Sequence, residues 1–407
     1  MEPQDKPSIQ FARRMSQLPP YLFGMINQMK MEKRWQGDDV IDLGMGNPVD
    51  PAPEPVISKL VEVANDPKTH RYPVAYGMRN LRLEIAKTYQ KDYNVTLDAD
   101  NEVLCTIGSK EGISHLCLAI IGPGDTVLVP APAFPVHIYA AIIAGGSVLR
   151  IPLEQEDIFL TQLETMCANV YPRPKVLILN YPHNPTGVLG SMALYERVVY
   201  LAKKYHFMVI HDFAYNKITF DGYTAPSFLQ VPGAMDVGVE FGSFSKSYNM
   251  AGWRLGYCVG NQEIINGLRK IKGYYDYGIF SAIQIAGIVA LRHCDADVTR
   301  QAHIYQNRRD VLCEGLERID WPVDRPKAGM FAWVKIPPPF DRMGSMDFSI
   351  EMMKRANVAL APGIGFGEEG EGYLRIALVE NEHRIRQALR QMKRAMKELE
   401  PTLTQGS

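Results

Sequence analysis

The chain has 407 residues, and its 44 Lys and Arg stand against 45 Asp and Glu for a formal net charge of −1. That length accommodates one large domain and a smaller one, with a composition ordinary for a globular protein. Charge this balanced, with no long basic block, argues against a nucleic-acid partner and against an anionic membrane surface.

The polar N-terminus, Met1-Glu2-Pro3-Gln4-Asp5-Lys6, has no apolar run behind it and does not read as a signal peptide. The segment to residue 36 reads as an arm and then a helix that starts after Pro19-Pro20. A second helical pattern covers 80–93. From there short apolar strands alternate with helical stretches. Strands are expected at 103–106, 125–129, 148–152, 176–180, 207–211, 237–242 and 255–259, with helices at 110–121, 136–143, 159–168 and 193–205. This order predicts βαβ units and a mostly parallel, seven-stranded sheet in an α/β fold. Gly122-Pro123-Gly124-Asp125 breaks the best apolar run, so no membrane span is expected.

Two long helices follow, at 262–275 and 297–319. After Trp321 the pattern changes to strands at 330–336 and 373–378 around a helix at 348–356, with a turn at Pro337-Pro338-Pro339 and a last helix at 382–399. The Arg-rich stretch from Arg384 to Arg394 falls on that helix as a solvated face. The expected division is an N-terminal arm and helix (1–45) belonging with the small domain, a large domain (46–320) and a small C-terminal α/β domain (321–407). Cys105, Cys117, Cys167, Cys258, Cys294 and Cys313 form no C-x-x-C pair, and most sit in apolar runs. Free buried thiols in a reducing cytoplasm are expected, and no metal site.

Three segments carry chemistry. Ser243-Phe244-Ser245-Lys246-Ser247 follows an apolar strand, and Gly252-Trp253-Arg254-Leu255-Gly256 comes just after it. Lys246 would lie at the mouth of a sheet, where burial beside cations lowers the amine's pKa and makes it nucleophilic. The hydroxyls of Ser243 and Ser245 and the Arg254 guanidinium suit a phosphate. Asn180-Tyr181-Pro182-His183-Asn184-Pro185-Thr186-Gly187 is a loop at a strand's carboxyl end, where open α/β sheets bind ligands. Val209-Ile210-His211-Asp212-Phe213-Ala214-Tyr215 ends a strand at Asp212, whose carboxylate could hold a pyridinium nitrogen protonated, and Tyr215 could donate to a phenolic oxygen. Gly363-Ile364-Gly365-Phe366-Gly367 precedes a strand and is no dinucleotide fingerprint.

Across nearly its whole length the chain resembles the class I/II aminotransferases, pyridoxal-5'-phosphate (PLP) enzymes of fold type I. The S-F-S-K-S…G-W-R-L-G run, the N-P-T-G loop and the H-D-x-x-Y strand end come in that family's order. The resemblance implies that Lys246 is the Schiff-base lysine and proton shuttle, that Asp212 pairs with the pyridine nitrogen, and that Tyr215 and Asn184 bond the ring's phenolic oxygen. It implies that Phe134 stacks on the ring, and that Gly108, Ser109 and Lys110, opening a helix, join Ser243, Ser245 and Arg254 around the phosphate. Tyr72 would reach the phosphate of a neighbouring subunit, so a homodimer is implied. Arg375 would clamp the substrate α-carboxylate, and Gly46 would lie over the substrate.

Within the family the chain is similar to the alanine- and diaminopimelate-type branch, on Leu18-Pro19-Pro20-Tyr21-Leu22-Phe23, Met45-Gly46-Asn47-Pro48, His70-Arg71-Tyr72-Pro73 and Asp276-Tyr277-Gly278-Ile279-Phe280. That likeness implies transfer of an amino group from alanine or a similar small amino acid to 2-oxoglutarate or pyruvate by a ping-pong route. Aspartate and LL-diaminopimelate stay open as donors, as does a C–S lyase of the same fold. Tyr21 and Lys272 are expected near the substrate side chain.

Overall fold

The protein is described by a computed structural model covering residues 9–404. The N-terminal run weighed as a signal peptide lies outside the described residues. The strands in chain order are β1 (Ile41–Asp42), β2 (Val103–Thr106), β3 (Thr126–Ala131), β4 (Ser147–Pro152), β5 (Pro174–Asn180), β6 (Met208–Asp212), β7 (Gly238–Ser243), β8 (Gly256–Gly260), β9 (Phe331–Lys335), β10 (Val358–Ala359), β11 (Ala361–Pro362) and β12 (Tyr373–Ala377).

Seven of them form one sheet in the order β2-β8-β7-β6-β5-β3-β4. Six run the same way, and β8 alone is antiparallel to both of its neighbours. Side chains along a strand alternate between faces. Leu177, Leu179 and Val209 pack into one core with the helices Arg79–Tyr93, Met192–Tyr205 and Ser281–His293. Val176, Ile178 and Ile210 pack into the other with Ser109–Ile120, Pro135–Ile143 and Gln262–Tyr275. Both faces are therefore covered, which is why the strand segments read as continuous apolar runs and not as alternating ones.

The C-terminal part holds a three-stranded antiparallel sheet, β11-β12-β9, and β1 pairs with β10 in parallel. Its core gathers Ile41, Leu43, Trp321, Phe331, Ile376 and Leu389. The long helices Asp295–Glu317 and Glu382–Thr404 lie against each other. The predicted strands and helices agree with these within a few residues. The helices Glu54–Ala64 and Ser281–His293 and the two-residue strands were not anticipated. Among the described residues no helix is long and apolar enough to cross a membrane.

Candidate active site

Because β2, β3, β5, β6 and β7 point the same way, their carboxyl ends share one rim. From that rim the chain passes into Gly108, Phe134, Asn184, Asp212 and Lys246. Arg254 comes from the other direction. It lies two residues before β8, and the reversed strand starts at the rim where the others end. A parallel β8 of the same five residues would start about 16 Å away, at ~3.3 Å per residue.

Lys246 stands in the short helix Phe244–Ser247 directly after β7, and its Nζ donates to the Gly46 carbonyl at 2.6 Å. Desolvation, followed by the positive charges of Arg375 and Arg254, pushes the amine down to about 8, against the opposing pull of Asp212. A lysine so shifted offers a neutral amine far more readily than a surface one.

Asp212 is 6% exposed. His137 Nε2 donates to its Oδ2 at 2.9 Å, while Oδ1 is buried with no partner among the described residues. A buried carboxylate oxygen without a donor is costly, so this position calls for one from outside the protein. The register sets Asn180 beside Asp212, and Asn180 Nδ2 donates to the Asp212 carbonyl at 2.8 Å. Asn180 Oδ1 accepts from the Asn184 backbone N–H at 2.9 Å and so fixes the loop. Asn184 Nδ2 then donates to Tyr215 Oη at 3.2 Å. Burial pushes the Tyr215 phenol up, so its proton stays available for donation at neutral pH.

Gly108 has φ +77°, and a Cβ there would run into the Arg254 guanidinium; one on Gly256 would come within 2.8 Å of the Ser109 nitrogen. The first turn of Ser109–Ile120 and the Arg254 guanidinium thus share one small space, with no side chain capping the helix. Free first-turn amides, a helix dipole and a guanidinium together suit a phosphate. Ser243 and Ser245 are buried beside it, and Ser243 Oγ accepts from the Ser245 backbone N–H at 3.2 Å. Phe134 caps Pro135–Ile143, edge-on to His137 at 5.8 Å, with Lys110 Nζ 5.9 Å from its centroid.

Arg375, on β12, is 5% exposed. Nη1 donates to Asn184 Oδ1 at 3.0 Å and Nη2 to the Gly44 carbonyl at 2.9 Å, while Nε is buried without a partner among the described residues. The rings of Phe331, Phe366 and Phe23 surround the guanidinium at 4.1, 4.7 and 5.7 Å. Desolvation pushes it down to about 10, which leaves it charged at neutral pH. Gly46 approaches so closely that a Cβ would meet the Phe331 ring at 2.5 Å.

Other expected residues fall further out. Tyr21 is half exposed and edge-on to Phe23 at 5.6 Å, lining an open cavity of about 740 Å³ with Lys110, Arg150 and Ile364. Tyr72 is 86% exposed, with its ring 4.9 Å from that of Tyr277. Lys272 corrects an expectation. It is fully buried, with Nζ on Glu111 at 2.9 Å and on Asp276 at 3.0 Å, so its charge is neutralised inside the chain and not offered to a substrate. The sequence reading missed His137, whose only signal is one polar ring within Val136-His137-Ile138, a turn after Phe134. It also missed the Phe331 ring beneath Arg375.

The arrangement fits PLP: a partnerless buried oxygen for a ring nitrogen, a phenol for a ring oxygen, a phosphate cradle, and an amine between them. Sheet and site together define a PLP enzyme of fold type I. A family model described as aminotransferase class I and II matches residues 38–392. The chain is 47% identical to the glutamate-pyruvate aminotransferase AlaC of Escherichia coli (strain K12), over 95% of this chain and 94% of that protein. It is 44% identical to an LL-diaminopimelate aminotransferase of Syntrophobacter fumaroxidans, over 94% of this chain and 98% of the other. Its fold superposes on an aspartate aminotransferase of Thermus thermophilus, solved with maleate, at a TM-score of 0.87 and 25% identity, over 95% of this chain and 100% of the other. The chain belongs to the class I and II aminotransferases. It is an enzyme that uses PLP to move amino groups to 2-oxo acids.

Proposed function

We propose that the enzyme takes the α-amino group of alanine or a similar small amino acid and delivers it to 2-oxoglutarate or pyruvate by a ping-pong route. The observation that carries the reading is the buried Asp212 Oδ1 without a partner, facing the same rim as a lysine held near 8. The likeness to a glutamate-pyruvate aminotransferase at 47% identity supports alanine as donor. LL-diaminopimelate is the second reading, favoured by the 44% identical relative.

When bound, PLP supplies an electron sink that stabilises negative charge at the substrate Cα. The chain does the rest. Lys246 Nζ would hold the aldehyde and carry the Cα proton. Asp212 would keep the ring nitrogen protonated, and Tyr215 and Asn184 would hold the ring oxygen. Phe134 would pack on the ring, and Gly108, Ser109, Lys110, Ser243, Ser245 and Arg254 would hold the phosphate. Arg375 seats the α-carboxylate in a bidentate pair, beneath Gly46 and beside Tyr21. The chain works as a cytoplasmic homodimer in which Tyr72 crosses to its partner's phosphate, a reading supported by the exposed Tyr72, Tyr274, Tyr275 and Tyr277. Residues 46–320 form the large domain, and 321–407 with the segment to residue 45 form the small one.

The test is reduction of the holoenzyme with borohydride and peptide mapping, followed by absorbance titration with a panel of amino acids. Label on Lys246 and conversion of the absorbance by alanine are expected. An unlabelled Lys246 removes the site; conversion by LL-diaminopimelate but not alanine removes the donor. Lys246→Ala should keep PLP non-covalently and lose turnover.

A further inference from the structure

A polar chain of side chains runs from the strand that carries Arg375 to the segment that carries Lys246, without touching either residue. Arg308, from Asp295–Glu317, is 4% exposed. Its Nη1 and Nη2 donate to Asp50 Oδ2 and Oδ1, both at 2.8 Å, and Nη1 also reaches the Leu378 carbonyl at 3.5 Å, three residues past Arg375. Gln301, two turns earlier on the same helix, donates to Asp50 Oδ2 at 2.9 Å and accepts from Asn249 Nδ2 at 2.9 Å. Asn249 follows Lys246 by three residues, sits at φ +53°, and also donates to the Pro51 carbonyl at 3.2 Å.

Asp50 lies in the loop between β1 and Glu54–Ala64, whose carbonyls meet both functional groups: Gly44 accepts from Arg375 Nη2 and Gly46 from Lys246 Nζ. Two glycines give that loop little stiffness of its own. A bidentate Arg–carboxylate pair supplies stiffness, since both partners are planar and the geometry is fixed in two directions. Burial works to raise the Asp50 carboxyl, yet the bonds from Arg308 and Gln301 outweigh it and hold the group below its ordinary value, hence charged.

We infer that Asp50, Arg308, Gln301 and Asn249 are positioning residues that hold the Gly44–Pro48 loop, the Arg375 strand and the Lys246 segment in one relative placement. The inference rests on the site roles proposed above. Its logic is that reacting groups tolerate little displacement: ~1 Å of misplacement can cost on the order of a hundredfold in rate.

The test uses Asp50→Asn and Asn249→Ala in the full chain loaded with PLP, with Asp221→Asn as a control. Asp221 makes an equally bidentate contact with Arg309 away from the site. For both variants near the site, KM for the amino acid should rise about tenfold, and the pH midpoint of the holoenzyme's visible absorbance should move by about half a unit. In the apo-protein, backbone amides of residues 44–50 should exchange deuterium faster. The control should lower Tm and leave KM, midpoint and exchange at the loop unchanged. Variants that lose Tm but keep KM, midpoint and loop exchange overturn the inference. A labelled Lys246 in wild type with unmoved KM in Asp50→Asn overturns this inference alone, whereas an unlabelled Lys246 overturns the site beneath it.

Discussion

His137 Nε2 donates to Asp212 Oδ2 at 2.9 Å from the first turn of the helix that Phe134 caps. One turn of chain therefore fixes both the Phe134 ring and the orientation of the carboxylate, and it leaves Asp212 Oδ1 without a donor among the described residues. Asp212→Asn keeps the shape and removes the charge. Steady-state kinetics should show kcat down by about a hundredfold or more, the scale of losing one preorganised electrostatic contact, with KM changed far less. A kcat near that of wild type would take Asp212 out of the ring-nitrogen position.

The Lys246 amine falls from an ordinary value near 10.5 to about 8 because burial and neighbouring cations disfavour its charge. In the apo-protein its rate of acylation by a competitive labelling reagent should rise through pH 8. The sign for stability follows from linkage. Between the folded and unfolded values the unfolded chain binds more protons at this site, so the apo-protein gains stability from this group as pH rises from about 8 to 10.5. Lys246→Met should flatten that rise in urea titrations across the window; an unaltered slope would contradict the shift.

Arg375 makes two hydrogen bonds to the chain and keeps Nε free inside three phenyl rings. Arg375→Ala leaves Asn184 Oδ1 and the Gly44 carbonyl short of a donor and removes the charge proposed to seat the substrate carboxylate. KM should rise about a hundredfold for every α-amino acid and 2-oxo acid alike, the value of a charge-assisted bidentate contact at ~1.5–3 kcal/mol. A loss confined to one substrate would assign Arg375 to the side chain and not to the shared carboxylate.

Lys272 neutralises Glu111 and Asp276 from a fully buried position. Lys272→Met takes the ammonium from between Glu111 and Asp276 and leaves them beside the His115 ring. Chemical unfolding should show a loss of about 3 kcal/mol, and the ratio of kcat/KM for glutamate over alanine should stay within twofold, at the scale set for breaking a buried pair. A selective loss for the dicarboxylate would return Lys272 to the substrate.

Much of this was legible because buried parallel strands are short apolar runs, and three of them close on a polar residue at the rim. Asn180, Asp212 and Ser243 all close strands in that way. The helix Ser281–His293 escaped notice because it is largely buried, so little 3.6-residue alternation marks it. Glu54–Ala64 hides behind the proline-rich entry at Pro51, Pro53 and Pro55, where a proline in the first turn reads equally as a loop. β1 and β10 are two residues long, too short for any period. His137 and Phe331 are the instructive omissions. Each acts on a recognised residue from a distant part of the chain, and only the packed structure brings the two together.

All six cysteines are free and buried. Burial pushes Cys105 and Cys117 up to about 12 and Cys167, Cys294 and Cys313 up to about 11, so hardly any thiolate exists at neutral pH. The natural chain is thus a nearly silent background for maleimide chemistry. One cysteine engineered at an exposed spot would carry a fluorophore unaccompanied, which opens motion in this enzyme to direct optical measurement without first stripping its own thiols.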